Sequence, residues 1–171
     1  MKTIKFTKMV ASGNDFVVLR GDSLGSSCNL PALARKLCDR KFGIGADGLL
    51  IVRTSRTATV GMRIFNPDGS EAEMCGNGAR CVAFFTGEKN GSIDTMAGTI
   101  DFESKINKVR IRLTDPKEIQ QDVPIRVFSR NIRVNFLNTG VPHTVVFVHG
   151  LEDLKVGHLG RVIRYHKRFA P

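Results

Sequence analysis

A turn, a glycine-rich segment and an apolar run follow one another at residues 66–85 and constrain the fold more than any other stretch. The stretch from Asn66 to Cys81 reads Asn-Pro-Asp-Gly-Ser-Glu-Ala-Glu-Met-Cys-Gly-Asn-Gly-Ala-Arg-Cys. Proline restricts the residue before it, and Asp-Gly provides a position where positive φ costs little, so a turn is predicted at its start. The apolar run at 79–85 lacks Gly and Pro and predicts a buried helix.

Cys75 stands in the glycine-rich segment and is followed by Gly-Asn-Gly at 76–78. At a helix start, a thiol lies beside unsatisfied backbone N–H groups, which stabilise a thiolate and can hold a substrate carboxylate. Glycine also lets the backbone approach a ligand closely. Most free cysteines are small buried apolar residues, so two interpretations of Cys75 stay open, a reactive thiol and a buried one. The buried interpretation is adopted for the other cysteines, Cys28, Cys38 and Cys81.

The length of 171 residues suits one domain, or one domain and part of another. A hydrophobic content of 42% is sufficient for a core. Residues 1–6 lack the apolar segment of a signal peptide. Apolar runs such as 145–148 are far shorter than the ~20 residues that a membrane span requires. We therefore expect a soluble, cytoplasmic protein without a membrane partner.

Cysteine spacing and charge limit the classes of ligand. The cysteines show no CxxC spacing and no histidine lies near them in sequence, so we expect reduced thiols and no metal site. The net charge is +10, but the positive residues are scattered, with one Tyr and no Trp, so nucleic acid is not expected as a partner. The densest basic cluster is interpreted as a solvated face, with an anion site as the alternative; it comprises Arg161, Arg164, Lys167 and Arg168.

Apolar patterning predicts the elements of the first two thirds of the chain. A hairpin is expected from strands at 4–10 and 16–19, with Asn14 in its turn. Residues 30–38 predict an amphipathic helix capped by Asn29. The other strands are expected at 49–52, 59–65, 92–96, 98–102 and 108–113.

A boundary is predicted at residues 114–116, followed by a polar linker at 117–122. A strand at 132–136, a turn at 138–140 and a return strand at 145–148 then echo the opening hairpin. The pattern is that of an α+β fold, with strands wrapped around two helices. We expect a first domain at 1–116, with 117–171 forming the linker and the incomplete start of a second, similar domain.

Five motifs in order along the chain closely resemble those of the diaminopimelate epimerase family. They lie at 6–9 with 13–16, at 40–48, at 66–81, at 138–143, and from 160–161 with 163–164 to Pro171. The resemblance implies a mixed or antiparallel sheet wrapped around a central helix, in a protein of two similar domains. It also implies cofactor-independent interconversion of LL- and meso-diaminopimelate by two thiols, in the pathway to lysine and peptidoglycan precursors.

Inverting an amino-acid α-carbon requires removal of its proton and delivery of another to the opposite face, which one acid/base group on each face can do. The resemblance implies that Cys75 is one of these groups and that His143 pairs with it and tunes it. Without the resemblance, a lone histidine such as His143 is more often structural.

The resemblance also implies the binding residues. The backbone of Gly76 and Asn77 would hold the reacting carboxylate, where negative charge develops. Asn14 and Asn66 would hold the distal carboxylate and amine of the substrate. The chain differs from the family at Val141, where the family often has asparagine.

One further departure concerns the second catalytic cysteine. The family carries it in a Cys-Gly-Thr-Gly motif well beyond the Pro-His motif, and residues 1–171 contain no such motif. Cys81 lies six residues after Cys75 on the predicted helix and would not face it across a substrate. Three hypotheses stay open. The chain is a truncated amino-terminal portion of an epimerase, for which the expected partner is a second copy in a homodimer or a complementing chain; or it is a non-catalytic binding or interaction module; or it is a related racemase, such as the proline type.

Overall fold

The structure is a computed structural model that describes residues 3–169. The chain divides into two compact units, Met1–Leu113 and Thr114–Pro171, called unit 1 and unit 2 below. The last two residues of the predicted carboxyl-terminal motif, Ala170 and Pro171, lie outside the described residues.

The described part of unit 1 contains two helices, eight strands and a short 3-10 helix at Gly21–Ser23. The helices are α1 (Leu30–Cys38) and α2 (Gly76–Thr86). The strands are β1 (Thr7–Ala11), β2 (Asn14–Arg20), β3 (Gly48–Arg53), β4 (Val60–Phe65), β5 (Glu71–Ala72), β6 (Asn90–Thr95), β7 (Gly98–Lys105) and β8 (Lys108–Arg112).

The eight strands form one mixed sheet in the order β1-β2-β3-β4-β6-β7-β8, with β5 paired to β4. The β2–β3 and β4–β6 pairs are parallel and the remaining pairs are antiparallel. Helix α2 contacts strands from both ends of this order, including β1 and β8, so the sheet curls around it. The predicted α+β fold with a mixed sheet around a central helix is confirmed.

Strands β2 and β3 are buried on both faces, which explains their continuous apolar runs. On one face Phe16, Val18 and Leu50 pack in the cluster that includes α2. On the other face Val17 and Leu49 pack in the cluster that includes α1. Alternate residues of the same strands therefore join the two cores, and the sheet separates the two helices.

The opening hairpin is confirmed, with β1 and β2 antiparallel and Ala11 paired with Asn14. The turn residues Ser12 (φ 50°) and Gly13 (φ 86°) both have positive φ, which is the type I′ geometry favoured in two-residue hairpins. Asn14 is thus the first residue of β2. Its backbone is fixed by the sheet, and its side chain stands at the end of the hairpin.

Helix α1 has the predicted bounds and the predicted cap. The Asn29 side chain accepts a hydrogen bond from the Ala32 N–H at 3.0 Å. Helix α2 begins three residues earlier than the apolar run predicted, at Gly76, and ends before Gly87 in the left-handed conformation. Gly78 packs closely on β3, since a Cβ there would lie 3.0 Å from Leu50 Cδ2.

Up to residue 169, unit 2 consists of a three-stranded antiparallel sheet in the order β11-β10-β9 and one helix. Its core is formed by Ile125, Val127, Val134 and Ile163. The elements are β9 (Lys117–Val127), β10 (Arg130–Asn138), β11 (Pro142–Val145) and α3 (Val156–Arg164).

The prediction of a polar linker at 117–122 is wrong, because β9 runs through it. Lys117 pairs with Asn138 and Gln120 with Phe136, although the register shifts between these pairs. Glu118 and Asp122 have positive φ, so this part of the strand is irregular. Its side chains are exposed at the edge of the sheet, which accounts for the polar sequence without making it a linker.

The sequence predicts the return strand at 145–148, and this is wrong, because β11 spans Pro142–Val145 and the chain leaves the sheet afterwards. Helix α3 was not predicted. Its apolar residues Val156, Leu159 and Ile163 have helical spacing. Gly157 and Gly160 obscure this pattern, because glycine destabilises a helix more than any residue except proline.

Unit 2 exposes apolar surface beside α3. Phe147 is 84% exposed and Leu151 is 64% exposed. A cleft of about 840 Å³ lies between β11 and α3, with Val148, Leu151 and Leu159 among its lining residues. Apolar surface of this kind is typical of a face that associates with another chain or segment.

Candidate active site

Cys75 caps the amino terminus of α2. Its backbone is extended (φ −144°), its carbonyl accepts the Ala79 N–H at 2.8 Å, and its Sγ lies 3.5 Å from the Gly78 nitrogen, which donates to it. The N-cap side chain of a helix usually accepts this hydrogen bond through an oxygen, and sulfur is a weaker acceptor. The half-buried thiol is therefore held at the helix terminus, as predicted from the sequence.

The backbone N–H groups of Gly76 and Asn77 occupy the first two positions of α2. Within residues 3–169, the structure gives neither of them an acceptor. Such groups bind anions, because the helix dipole adds to their own partial charge. The start of α2 thus offers two N–H donors next to the Cys75 thiol.

The side chains of Asn14 and Asn77 are joined directly. Asn77 Nδ2 donates to Asn14 Oδ1 at 2.7 Å, although the residues are far apart in sequence. Arg80 Nη1 donates to Asn77 Oδ1 at 2.8 Å, and Asn14 Nδ2 donates to Asp47 Oδ2 at 3.2 Å. We call these four residues the amide relay. It connects the opening hairpin, the loop before β3 and the first turns of α2.

A cluster of charged side chains supports the hairpin end of the relay. Arg40 Nη2 lies 2.7 Å from both Asp15 Oδ1 and Asp47 Oδ1. Lys8 Nζ lies 2.9 Å from Asp15 Oδ2 and also donates to the Gly45 carbonyl. The hydrogen bonds that Arg40 and then Lys8 donate hold the pKa of Asp15 well below its usual value. The hydrogen bonds that Arg40 donates to Asp15 and Asp47 in turn raise the pKa of Arg40.

Asn66 lies in the predicted turn after β4. Its backbone N–H donates to the Ser70 carbonyl at 2.8 Å, and Gly69 N–H donates to the Asn66 carbonyl at 2.9 Å. Its side-chain Nδ2 donates to Ser70 Oγ at 2.9 Å. The Asn66 side chain is exposed, and this bond fixes it on the turn rather than to the amide relay.

His143 lies in unit 2, in the middle of β11 and opposite Leu137 of β10. It is exposed, and its Nε2 lies 3.4 Å from Thr139 Oγ1. Val141, in the turn before it, is also exposed. Cys75 belongs to unit 1, so the predicted pairing of His143 with Cys75 stays a prediction.

The remaining cysteines have different surroundings from Cys75. Cys38 and Cys81 are each 2% exposed in the two cores of unit 1. Burial raises the pKa of Cys38, and burial followed by the neighbouring Cys75 raises that of Cys81 to about 11. Cys28 is half-buried, and all four cysteines are free thiols. Neither buried thiol is suited to proton transfer near neutral pH.

The described residues contain neither a membrane-spanning helix nor a cluster of metal ligands. Among residues 3–169, no helix has both the length and the apolar character needed to cross a bilayer. In the same part of the chain, His, Cys, Asp and Glu side chains form no group of three that could hold a metal.

In the basic cluster near the carboxyl terminus, Arg168 donates to Gln120 at 2.9 Å, and Arg164 lies over the Tyr165 ring.

Sequence reasoning did not assign roles to Asp47 and Arg80, which bind the two predicted amides. Both lie in stretches that the resemblance covers, at 40–48 and 66–81. Asn and Asp in a turn usually indicate local turn chemistry, and an Arg on a helix indicates a solvated face. Asp47 bonds to Asn14, which is 33 residues away in sequence, so this contact has no local signal. Arg80 bonds to Asn77, one helical turn before it, so helical spacing alone predicts that contact.

Comparison with known proteins decides the family. The family model described as Diaminopimelate epimerase matches residues 6–119, which include every element of unit 1. The chain belongs to the diaminopimelate epimerase family. The family and the names of its members indicate an isomerase of the epimerase or racemase type.

Curated relatives cover the chain almost completely. A diaminopimelate epimerase from Caldanaerobacter subterraneus is 39% identical, covering 97% of this chain and 68% of the relative. Those from Desulforapulum autotrophicum and Archaeoglobus fulgidus are 36% and 38% identical, each covering 97% of this chain, with 68% and 66% of the relative covered. The chain therefore spans about two thirds of the length of these relatives.

Solved structures show the same fold at low sequence identity. A PhzF-family phenazine biosynthesis protein from Bacillus anthracis is similar with a TM-score of 0.64 at 20% identity, covering 87% of this chain and 57% of that one. A probable proline racemase from Agrobacterium radiobacter has a TM-score of 0.63 at 17% identity, covering 92% and 53%. A hydroxyproline epimerase from Agrobacterium vitis has a TM-score of 0.62 at 17% identity, covering 93% and 53%.

Proposed function

We propose that this chain forms the Cys75 half of a cofactor-independent epimerase that interconverts LL- and meso-diaminopimelate. One observation carries the proposal: the Cys75 thiol lies at the start of α2 beside the N–H groups of Gly76 and Asn77, which have no acceptor among residues 3–169. The Cys75 sulfur, which accepts a proton when it is a thiolate, is thus adjacent to donors for the carboxylate that is bound to the α-carbon. The names of the curated relatives support diaminopimelate as the substrate.

In the proposed reaction, the Cys75 thiolate takes the α-proton from one face of the substrate. The electron pair of the broken C–H bond moves onto the carboxylate, which becomes an enediolate. The N–H groups of Gly76 and Asn77 hold this charge as it develops, which is the moment when donors in a preorganised site are most effective. A second acid then delivers a proton to the opposite face, and a new C–H bond forms.

The distal end of the substrate would be held by Asn14 and Asn66, whose side chains carry both donors and acceptors. Asn14 stands at the end of the hairpin, and its amide is linked to that of Asn77. In this proposal His143 assists the proton transfer of Cys75. The resemblance supports these roles, and each can be tested by substituting the residue.

The other three cysteines of the same molecule are not suited to be the opposite-face acid. Cys38 and Cys81 are buried with raised pKa values, and Cys28 lies in a separate cleft near Arg20 and Arg53. Another part of the protein, a second copy of the chain or a complementing chain would supply the acid, and the exposed apolar cleft of unit 2 supports such an association. The enzyme would act in the cytoplasm, in the pathway to lysine and peptidoglycan precursors.

A non-catalytic carboxylate-binding module is the second candidate. The N–H groups at the start of α2 would bind an amino-acid carboxylate whether or not an opposite acid is present. Similarity to the proline racemase structure shows a shared fold and favours neither substrate. The two candidates differ in whether a bound substrate loses its α-proton.

The test is deuterium incorporation at the α-carbon. The purified chain is incubated with LL-diaminopimelate in heavy water, and NMR follows both solvent exchange and formation of the meso isomer. The matched variants are Cys75→Ser, which should abolish both signals, and Cys28→Ser, which should retain them. Exchange with inversion supports the full reaction, and exchange without inversion shows that Cys75 works on one face. Binding of substrate without any exchange would overturn the catalytic proposal in favour of the binding module.

A further inference from the structure

The amide relay has one direction. Arg80 donates to the oxygen of Asn77, the nitrogen of Asn77 donates to the oxygen of Asn14, and the nitrogen of Asn14 donates to Asp47. A carboxamide can bind either way round, because its oxygen and nitrogen have similar size and shape. The direction of the relay must therefore be set by its ends.

Both ends permit one role only. The guanidinium of Arg80 can only donate, and the ionised carboxylate of Asp47 can only accept. If both amides were reversed, the Arg80 N–H would face an amide nitrogen and the Asp47 oxygen would face an amide oxygen. Both contacts would be repulsive. Asn14 and Asn77 would still share one amide–amide hydrogen bond, with donor and acceptor exchanged. The charged ends therefore select one orientation of the pair.

The carboxylate of Asp47 is itself held. Its Oδ1 accepts from Arg40 at 2.7 Å, which leaves Oδ2 to accept from Asn14 and from the Asp15 backbone N–H, each at 3.2 Å. Asp15 in turn accepts from the Asp47 backbone N–H at 3.0 Å. This exchange of hydrogen bonds locks the loop before β3 to the start of β2.

The orientation decides what the amides offer to a ligand. Each NH₂ group has two N–H donors, and the relay uses one on Asn14 and one on Asn77. Among the described residues, the second N–H of each amide has no acceptor, and the oxygens already accept from cationic or amide donors. A ligand carboxylate, which can only accept, matches two such donors.

We propose that Asp47 and Arg80 are positioning residues that orient the carboxamides of Asn14 and Asn77 so that both present N–H donors to a substrate carboxylate. The inference deepens the proposed function and rests on it for the identity of the substrate. The orientation of the amides is a property of the unliganded chain and is tested separately. A purely structural role would instead make the relay a tether between the hairpin and α2, with no effect on ligand selection.

The first test measures the amides directly. The chain is labelled with ¹⁵N-asparagine, and the side-chain NH₂ resonances of Asn14 and Asn77 are assigned by Asn→Ser substitution and followed by NMR. Asp47→Asn keeps the size of the side chain but adds a donor, so the relay loses its fixed direction. We expect this variant to shift the Asn77 resonances as well as those of Asn14, although Asp47 bonds only to the latter within the relay.

Arg80 is tested at the other end. Arg80→Met removes the donor and should shift the NH₂ resonances of both asparagines, whereas Arg80→Lys keeps a donor and should restore them in part. The matched controls are Asp101→Asn and Arg110→Met, both on the exposed β7–β8 hairpin. Shifts confined to the neighbour of each substituted residue would overturn the proposal, and so would unchanged resonances.

The second test measures binding of meso-diaminopimelate by calorimetry. Loss of one oriented donor is expected to weaken binding about tenfold in Asp47→Asn and Arg80→Met, an effect typical of a hydrogen bond to a charged group. The corresponding diamine, which lacks the carboxylates, should bind equally weakly to all variants. If wild-type chain binds no diaminopimelate, the proposed function fails, and the NMR result alone decides the positioning role. Unchanged affinity in both variants would overturn the ligand-selecting role.

Discussion

Substitution of Asp15 by Asn should destabilise unit 1 in a manner that depends on pH. The Asp15 carboxylate accepts hydrogen bonds from Arg40 at 2.7 and 3.2 Å, from the Asp47 N–H at 3.0 Å, and lies 2.9 Å from Lys8 Nζ. Its side chain is 22% exposed, whereas that of Arg40 is 61% exposed. Hydrogen bonds to a charged group contribute about 1.5–3 kcal/mol, and exposure of the partners reduces this, so we expect a loss of about 1–2 kcal/mol at pH 7.

The pH dependence has a definite sign. The folded protein holds the pKa of Asp15 below its usual value, chiefly through Arg40. Stability gained from the ionised carboxylate is therefore complete above the unfolded pKa of about 3.9 and is lost as the pH falls towards the folded pKa. Since Asn does not titrate, the stability difference between wild type and variant should be constant from pH 7 to about pH 5 and should shrink below about pH 4.

Urea denaturation, followed by circular dichroism at a series of pH values, measures this difference. The slope of the transition should stay the same in the two proteins, so that the midpoint reports stability. Asp101→Asn is the matched control, because Asp101 lies exposed on β7 without a recorded ion pair among the described residues. A difference that persists or grows between pH 4 and pH 3 would contradict the assigned cause of the stabilisation.

Three further predictions concern the thiols, a helix cap and the core of unit 2. Iodoacetamide at pH 8 should modify Cys75 in the folded chain but reach Cys81 only after unfolding, as peptide mass spectrometry can show; equal modification would contradict the burial of Cys81. Asn29→Ala should lower the free energy of unfolding by about 1 kcal/mol, with Asn29→Asp as the control that keeps an acceptor, both measured by urea denaturation. Val134→Ala, at a fully buried site of unit 2, should cost about 1–3 kcal/mol in the same assay, and a loss below the error would show that the unit 2 core is not tightly packed.

Much of unit 1 could be predicted because its signals are local. The helix at Leu30–Cys38 has its cap, its proline and its apolar spacing within one short stretch, and the structure has the same bounds. Likewise, the position of Cys75 at a helix start follows from two glycines and an apolar run that are adjacent in sequence.

Unit 2 was harder to predict, because tertiary pairing overrides local preference there. Residues 117–122 are polar and read as a linker, but β10 provides a partner along their length and draws them into the sheet. Helix α3 contains Gly157 and Gly160, and its apolar face is recognisable only once the sheet on which Ile163 packs is known. In the site, the bond between Asn14 and Asn77 joins residues far apart in sequence and leaves no periodic signal.

The parallel pairing of β2 with β3 has a practical consequence for altering the chain. Phe16 pairs with Gly48 at one end and Arg20 with Val52 at the other. Asn14 and Asp47 therefore stand at the end where both strands begin, and the loop at 21–29 follows the opposite end. That loop contains Gly25, around which a side chain would meet open space. An inserted tag, fluorophore or tether at Gly25 should leave the substrate end undisturbed, whereas the same insertion at 39–47 would separate Arg40 from Asp47.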